Sequence, residues 1–384
     1  MDFSFSDEQR AFQETIRRFG AEKLAPRYQA REKEGVIDRD LCREMGELGM
    51  IAPELPEKFG GMGLDSVTAG IAIEEVARAD FNVSYVQLIG SLMGTLIAQH
   101  AAEDIAHRVI ADICAGRSIV ALGLTEPRGG SDAAHLILRA RKDGGDFILN
   151  GEKTSISLAD QADEIVVFTR TNEAEDGARG VSAFLVPLDA EGISTTRFDD
   201  LGSGAVGRGS VFFDDVRVPA DAMIGPENQG FRVVMQGFDY SRALIGLQCI
   251  ACAEASIEEA WEYVKEREAF GGPIARFQGV TEPLAEAETL LYAAKLLCYK
   301  TLWLRDQGEP HTSEAAMCKW WAPRVAFDAI HNALLVHGHY GYSRELPHQQ
   351  RLRDVLGLQI GDGTQQIQKM IIAREKIGRI AVPY

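Results

Sequence analysis

The segment Gly202-Ser203-Gly204-Ala205-Val206-Gly207 fits the G-x-G-x-x-G spacing of a dinucleotide-binding turn, and the residues after it decide the fold. That fingerprint needs a strand before it and a helix after it, so that the phosphates meet a helix N-terminus. Here Val211-Phe212-Phe213 comes next, a β-branched and aromatic run that reads as a strand. A Rossmann site is therefore set aside, and the glycines read as a flexible β-turn inside a β domain.

The same texture extends outward in both directions. Phe147-Ile148-Leu149 follows Gly144-Gly145, and Ile165 to Thr169, Ala183 to Val186 and Val211 to Val218 are further strand-like runs between turn residues. They predict a middle β domain over 119–228. Residues 1–118 read as helical. Ser6 and Gln9 suit a capping box, and Phe12, Ile16 and Phe19 keep helical spacing until Pro26. Residues 229–384 are helical again. Positions 227–272 contain no proline, and runs near 283–306, 312–336 and 364–380 suggest a four-helix bundle. The expected class is α+β, mostly α, in the order helical, β, helical.

Composition narrows the function. The chain has 384 residues, with 40 Lys+Arg against 57 Asp+Glu and a net charge of −17. Such a chain is repelled by nucleic acid and anionic membranes, so neither is expected as a partner. Its 6 cysteines are no disulfide framework and read as reduced thiols in a cytoplasmic setting. Met1-Asp2 leads directly into polar sequence, with no signal-peptide pattern. Phe81 to Ala102 carries no Lys, Arg, Asp or Glu, yet Ser84, Gln87, Ser91, Thr95 and Gln99 put a polar stripe on it. It reads as a helix buried on most sides, or one whose polar face lines a ligand cavity, rather than a membrane span. Cys249 and Cys252 form a lone C-x-x-C within a helical run, and His337 and His339 have no carboxylate or Cys at ligand spacing. No metal is expected.

Longer motifs then carry a resemblance. Leu124-Thr125-Glu126-Pro127-Arg128-Gly129-Gly130-Ser131-Asp132 resembles the T-E-P-x-x-G-S-D loop of the acyl-CoA dehydrogenases. Asn150-Gly151-Glu152-Lys153, Phe213 to Pro219, Asn228-Gln229-Gly230-Phe231, Arg267 with Phe270-Gly271, Phe277-Gln278, Arg353-Asp354 and Gly361 to Gln368 come after it in the family's order. The resemblance spans nearly the whole chain. It implies an N-terminal helical domain, a middle β-barrel, a C-terminal four-helix bundle, non-covalent FAD, an acyl-CoA substrate and a homotetramer. Electron-transfer flavoprotein is the implied electron acceptor.

It also implies site residues. The segment with Leu122, Leu124 and Thr125 faces the flavin, and Gly130 and Ser131 meet the FAD pyrophosphate, Ser131 also touching the CoA arm. Ser155 and Ser157 stand beside the flavin ring. Arg267, Phe270 and Gln278 hold the ADP end from a neighbouring subunit. Thr364 and Gln366 are further flavin contacts. Asp239 and Arg242 match the pantetheine-side pair, although i, i+3 spacing alone suits an intrahelical ion pair.

The departures bear on substrate. Where most of the family reads Y-E-G-T around its base, this chain reads Gly361-Asp362-Gly363-Thr364. The implied role of Asp362 is to take the α-proton while the β-hydrogen leaves as hydride to flavin N5. Aspartate draws the carboxylate back by about 1.5 Å, roughly one C–C bond. Gly361 removes a bulky neighbour, so both changes widen the space at Cα. A misplacement near 1 Å can cost about 10²-fold in rate, which disfavours a slender chain and favours a ring. The expected reaction is thus cyclohexane-1-carboxyl-CoA to cyclohex-1-ene-1-carboxyl-CoA. Alternatives are a short or branched-chain acyl-CoA dehydrogenase and a non-catalytic acyl-CoA-binding flavoprotein. Ser155-Ile156-Ser157 replaces the family's W-I-T, Leu335 replaces a Gln, and Ser241 falls where one branch places its base.

Overall fold

The structure, a computed structural model, describes residues 4–172 and 174–382. Met1 and Asp2, on which the reading of the N-terminus rests, lie outside them. The N-terminal helices are α1 (Asp7–Phe19), α2 (Tyr28–Glu34), α3 (Arg39–Glu47), α4 (Ser66–Ala79), α5 (Ser84–His100) and α6 (Glu103–Cys114). The capping box forms: Gln9 N–H donates to Ser6 Oγ, and Ser6 N–H donates to Gln9 Oε1. Pro26 does not stop the chain's helical path. A π-turn at Gly20–Leu24 and a 3-10 turn at Ala25–Arg27 carry it on to α2. Pro26 sits in the first turn of that 3-10 segment, where its missing N–H costs little.

Helix α5 settles the two readings of the polar stripe. Ser84, Gln87, Ser91 and Thr95 are buried, while Gln99 is exposed. Gln87 Nε2 donates to the Met50 carbonyl, and Ser84 Oγ accepts from Gln248 Nε2 while donating to the Phe81 carbonyl. The stripe therefore packs against protein, and the cavity reading of it is overturned. No helix among the described residues is long and apolar enough to cross a membrane.

The middle block is a sheet of β1 (Val120–Gly123), β2 (Arg139–Asp143), β3 (Asp146–Ser157), β4 (Glu164–Arg170), β5 (Val181–Pro187), β6 (Ile193–Arg197), β7 (Arg208–Pro219) and β8 (Met223–Ile224). Their order is β6-β7-β3-β2-β4-β5-β8, with β1 beside β4. The expected barrel thus takes the form of one eight-stranded sheet; no ladder joins β6 to β8 among the described residues. Phe147, Leu149, Ile165, Val167, Phe184, Val211, Phe213 and Val218 pack into one apolar cluster, as period-2 alternation requires. The β3–β7 register shifts between Lys153 and Ile156, and Ser155 there has φ 58°. Such an irregularity re-aims a side chain.

The C-terminal block holds α7 (Gly230–Glu266), the hairpin β9 (Glu268–Ala269) and β10 (Gly272–Pro273), α8 (Gln278–Asp306), α9 (Thr312–Val336), α10 (His339–Tyr342), α11 (His348–Gly357) and α12 (Gln365–Ile377). Helices α7, α8, α9 and α12 are the expected bundle; α8 starts earlier than the sequence suggests, at Gln278, and keeps Pro283 near its start. Cys249 and Cys252 are buried free thiols of α7.

Gly202–Gly207 does precede strand β7, but the turn is not flexible. Ser203 N–H donates to Asp354 Oδ1 at 2.6 Å. A Cβ at Gly202 would come within 2.5 Å of the Arg353 backbone, so only glycine lets the turn approach α11 this closely. Asp354 also accepts from the Tyr28 hydroxyl at 2.6 Å and from Asn82 Nδ2 at 2.8 Å. One buried carboxylate thus joins all three blocks. Burial raises its pKa to about 6, against the lowering effect of the Tyr28 and Ser203 hydrogen bonds. Replacing Asp354 with Ala leaves these donors buried without an acceptor, at about 1–3 kcal/mol each. The variant is expected to lose about 3–5 kcal/mol in denaturant unfolding. A midpoint matching the wild type would show that the blocks hold together without this carboxylate.

Candidate active site

A cavity of about 580 Å³ opens where the blocks meet. One wall is the sheet domain, with Leu122, Leu124, Thr125, Gly130, Ser131, Ser155 and Ser157. The opposite wall is the loop between α11 and α12, with Gly361, Asp362 and Thr364. Helices α5 and α7 complete it through Leu88, Leu92, Met235, Phe238 and Arg242.

The loop after β1 is fixed from beneath. Glu126, buried, accepts from the Ile137 and Leu138 N–H groups at 2.7 and 2.8 Å and from Lys153 Nζ at 2.8 Å. Lys153 also donates to the Leu124 carbonyl at 3.2 Å. Burial pushes the Lys153 pKa down to about 8, and Glu126 opposes that fall. Lys153 and Glu126 both lie within the family motifs, but their pairing came only from the fold.

Asp362 occupies the left-handed region at φ 54°, between Gly361 and Gly363. Such backbone is costly for a residue with a side chain and persists only where its surroundings hold it. Two buried groups do so here. Lys319 Nζ donates to the Leu358 carbonyl at 2.6 Å and to the Gly363 carbonyl at 3.3 Å. Gln368 Nε2 donates to the Asp362 and Gly363 carbonyls at 3.0 and 3.2 Å. Burial raises the Asp362 pKa, and the positive charges of Lys319 and Arg242 pull it back. Lys319 is itself pushed down to about 8 by burial, with Asp362 opposing. Sequence reasoning missed Lys319. A lysine on an otherwise apolar helix face was its only signal.

The remaining candidates divide. Arg242 faces the cavity, whereas Asp239 stands behind it: Arg242 Nη1 donates to Asp239 Oδ1 at 2.9 Å, and Thr312 Oγ1 donates to Asp239 Oδ2 at 2.6 Å. The i, i+3 pair is therefore intrahelical, and Asp239 acts by holding the arginine. Ser241 is buried on α7 and does not line the cavity. Arg267, Phe270 and Gln278 cluster outside it, around the β9–β10 hairpin and the start of α8. Phe270 is 91% exposed at φ 50°, edge-on to Phe277. Gln366 and Leu335 are also exposed and away from the cavity lining.

The wall suits the FAD that the resemblance implies. Gly130 lines the cavity, and a Cβ there would press on Thr125 Cγ2 at 3.3 Å. Thr364 caps α12 with no side-chain bond to that helix, which leaves its hydroxyl free for a ligand. Leu122, Leu124 and Ile156 give apolar contact, and Thr125, Ser131, Ser157 and Thr364 give hydroxyls. Apolar faces with polar edges match a flat heteroaromatic ring.

Comparison with known proteins agrees with this geometry. Residues 6–117, 121–216 and 228–377 match the N-terminal, middle and C-terminal domains of acyl-CoA dehydrogenase. Benzylmalonyl-CoA dehydrogenase of Aromatoleum aromaticum is 36% identical over 98% of this chain and 99% of its own. The structure of butyryl-CoA dehydrogenase from Megasphaera elsdenii is 32% identical, with a TM-score of 0.94 over 98% of this chain and 100% of its own. A chain in the structure of the electron transferring flavoprotein of Acidaminococcus fermentans is 31% identical, with a TM-score of 0.95 over 98% of this chain and 100% of that one. A cavity walled by this loop and closed by a held carboxylate, in a chain matched along nearly its whole length, belongs to the acyl-CoA dehydrogenase family, whose members use FAD.

Proposed function

We propose that the protein dehydrogenates cyclohexane-1-carboxyl-CoA to cyclohex-1-ene-1-carboxyl-CoA, with Asp362 as the base. The observation that carries this reading is the short carboxylate beside Gly361 at the cavity wall. A Cβ at Gly361 would meet only ordinary contacts, Gly357 O at 3.7 Å and Leu358 Cδ2 at 4.0 Å. The missing side chain is therefore room left for substrate. The benzylmalonyl-CoA dehydrogenase relative is named for a ring-bearing acyl group, which points the same way. The butyryl-CoA dehydrogenase neighbour supports a second reading, a short linear acyl-CoA.

When bound, the flavin supplies the acceptor for the β-hydride. Asp362 takes the α-proton, and its raised pKa makes it a stronger base than an exposed aspartate. Lys319 and Gln368 keep its backbone in place, and the apolar wall from α5 and α7 excludes water. Arg267, Phe270 and Gln278, exposed on one side of the subunit, would reach the cofactor of a neighbouring copy in a homotetramer. Electrons would then pass to electron-transfer flavoprotein.

Three outcomes test the proposal. Asp362→Asn should keep FAD and bind acyl-CoA, yet reduce the flavin about 10²–10⁴-fold more slowly. A rate near wild type in rapid-mixing absorbance would put the base elsewhere. Second, reduction should rise with pH as Asp362 loses its proton. Because the Lys319 cation lowers that pKa, Lys319→Met should move the midpoint upward; an unmoved midpoint in the same assay would show that the charge does not reach Asp362. Third, cyclohexane-1-carboxyl-CoA should reduce the flavin faster than butyryl-CoA and far faster than octanoyl-CoA, with the same ranking in carrier-coupled turnover. Asp362→Glu should shift preference toward linear esters. A wild type that prefers butyryl-CoA, with an unchanged ranking in Asp362→Glu, would leave only the general dehydrogenase assignment.

A further inference from the structure

The cavity is not apolar throughout. One part of its lining carries Tyr85, Ser203, Asp200 and Arg208, none of which the proposed chemistry uses. Three elements bring them together: α5 supplies Tyr85, the 202–207 turn supplies Ser203, and the start of β7 supplies Arg208. Arg208 pairs across the sheet with Ser157, so it stands next to the wall already assigned to the cofactor.

The charge state of this group decides what it can recognise. Arg208 donates twice to Asp200, from Nε at 2.9 Å and from Nη2 at 2.7 Å. A fork–fork pair of this kind spends the guanidinium's charge on one carboxylate. The group is then close to neutral overall but rich in hydrogen bonding. Nη1 can still donate, the Asp200 oxygens can still accept, and the Tyr85 and Ser203 hydroxyls, which bond each other, together keep one O–H and further lone pairs to spare. The Tyr85 side chain is 8% exposed, and burial raises its pKa, so its hydroxyl stays protonated at neutral pH. Tyr85, Arg208 and Asp362 line the same cavity, which sets base and polar group around one space. A bare hydrocarbon ring would desolvate these groups and give them nothing in return. A carboxylate would meet Asp200. A hydroxyl can accept from Arg208 or Tyr85 and donate to Asp200 at once.

We infer that Tyr85, Ser203 and the Asp200–Arg208 pair form a subsite for a hydroxyl on the acyl ring, making hydroxylated cyclohexane-1-carboxyl-CoA esters preferred substrates. The inference rests on the ring-substrate reading and narrows it. Hydroxyl-dependent sites discriminate strongly because the unsubstituted analogue leaves their polar groups unpaired.

The test compares anaerobic flavin reduction by cyclohexane-1-carboxyl-CoA with that by its 3- and 4-hydroxy derivatives. At least one hydroxy isomer should show a kcat/KM about tenfold or more above the bare ring. That ratio should fall toward one in Tyr85→Phe and in Arg208→Met. Should Arg208→Met fail to fold or hold FAD, Tyr85→Phe decides alone, since it removes a single oxygen. Equal or slower reduction by every hydroxy isomer overturns the subsite while leaving the ring reading intact. So does a preference that survives Tyr85→Phe unchanged, or a stronger preference for a carboxylate-bearing ring. If no cyclic ester reduces the flavin while butyryl-CoA does, the ring reading and the subsite fall together.

Discussion

The Asp354 carboxylate is the point on which the three blocks converge. It takes the Tyr28 hydroxyl and the Asn82 amide from the N-terminal helices and the Ser203 N–H from the sheet domain. Its neighbour Arg353 pairs with Glu32 and donates to the Leu201 carbonyl at 2.8 Å. The cavity lies where these blocks meet, so its shape depends on their docking. A second buried pair, Arg31 with Asp80, supports the same junction, and Asp80 Oδ1 accepts from the Asn82 and Val83 N–H groups. Buried charges are expensive unless all their hydrogen bonds are met, which makes such a junction specific to one arrangement.

Within that frame, Asp362, the base in the proposed reaction, is held through its backbone. Lys319 and Gln368 reach the carbonyls on either side of Asp362 from two different helices. The side chain itself meets the opposite charges of Lys319 and Arg242 through space rather than through a direct bond. That division suits a base. Hydrogen bonds to the carboxylate would weaken it as a proton acceptor, whereas bonds to the carbonyls fix its position without that effect.

Departures from the family pattern line both walls of the cavity. Ser155 is exposed in a left-handed conformation, and Arg208 enters from the adjacent strand near Ser157. Gly361 opens the facing wall. The lining therefore combines small residues at two points with a paired arginine at a third.

The order of domains and the membership in a flavin-dependent family were legible in the chain, because each rests on local pattern. Turn residues, β-branched runs and motif spacing are properties of short segments. The failed dinucleotide fingerprint was legible for the same reason, since a strand comes directly after it. Helix α11 was not legible. It buries His348, Gln350, Arg351 and Asp354, so no apolar period marks it. The polar stripe of α5 left two readings open, because burial against protein and exposure to a cavity need the same residues. Only the packing chose between them. The tertiary structure alone also placed Lys319 beneath Asp362, set Asp239 behind Arg242 and paired Arg208 with Asp200 beside Tyr85. The first and last of these join residues distant in the chain, and the Asp239–Arg242 spacing did not say which partner would face the cavity. No local preference encodes such choices, and they arise only when burial forces each polar group to find a partner.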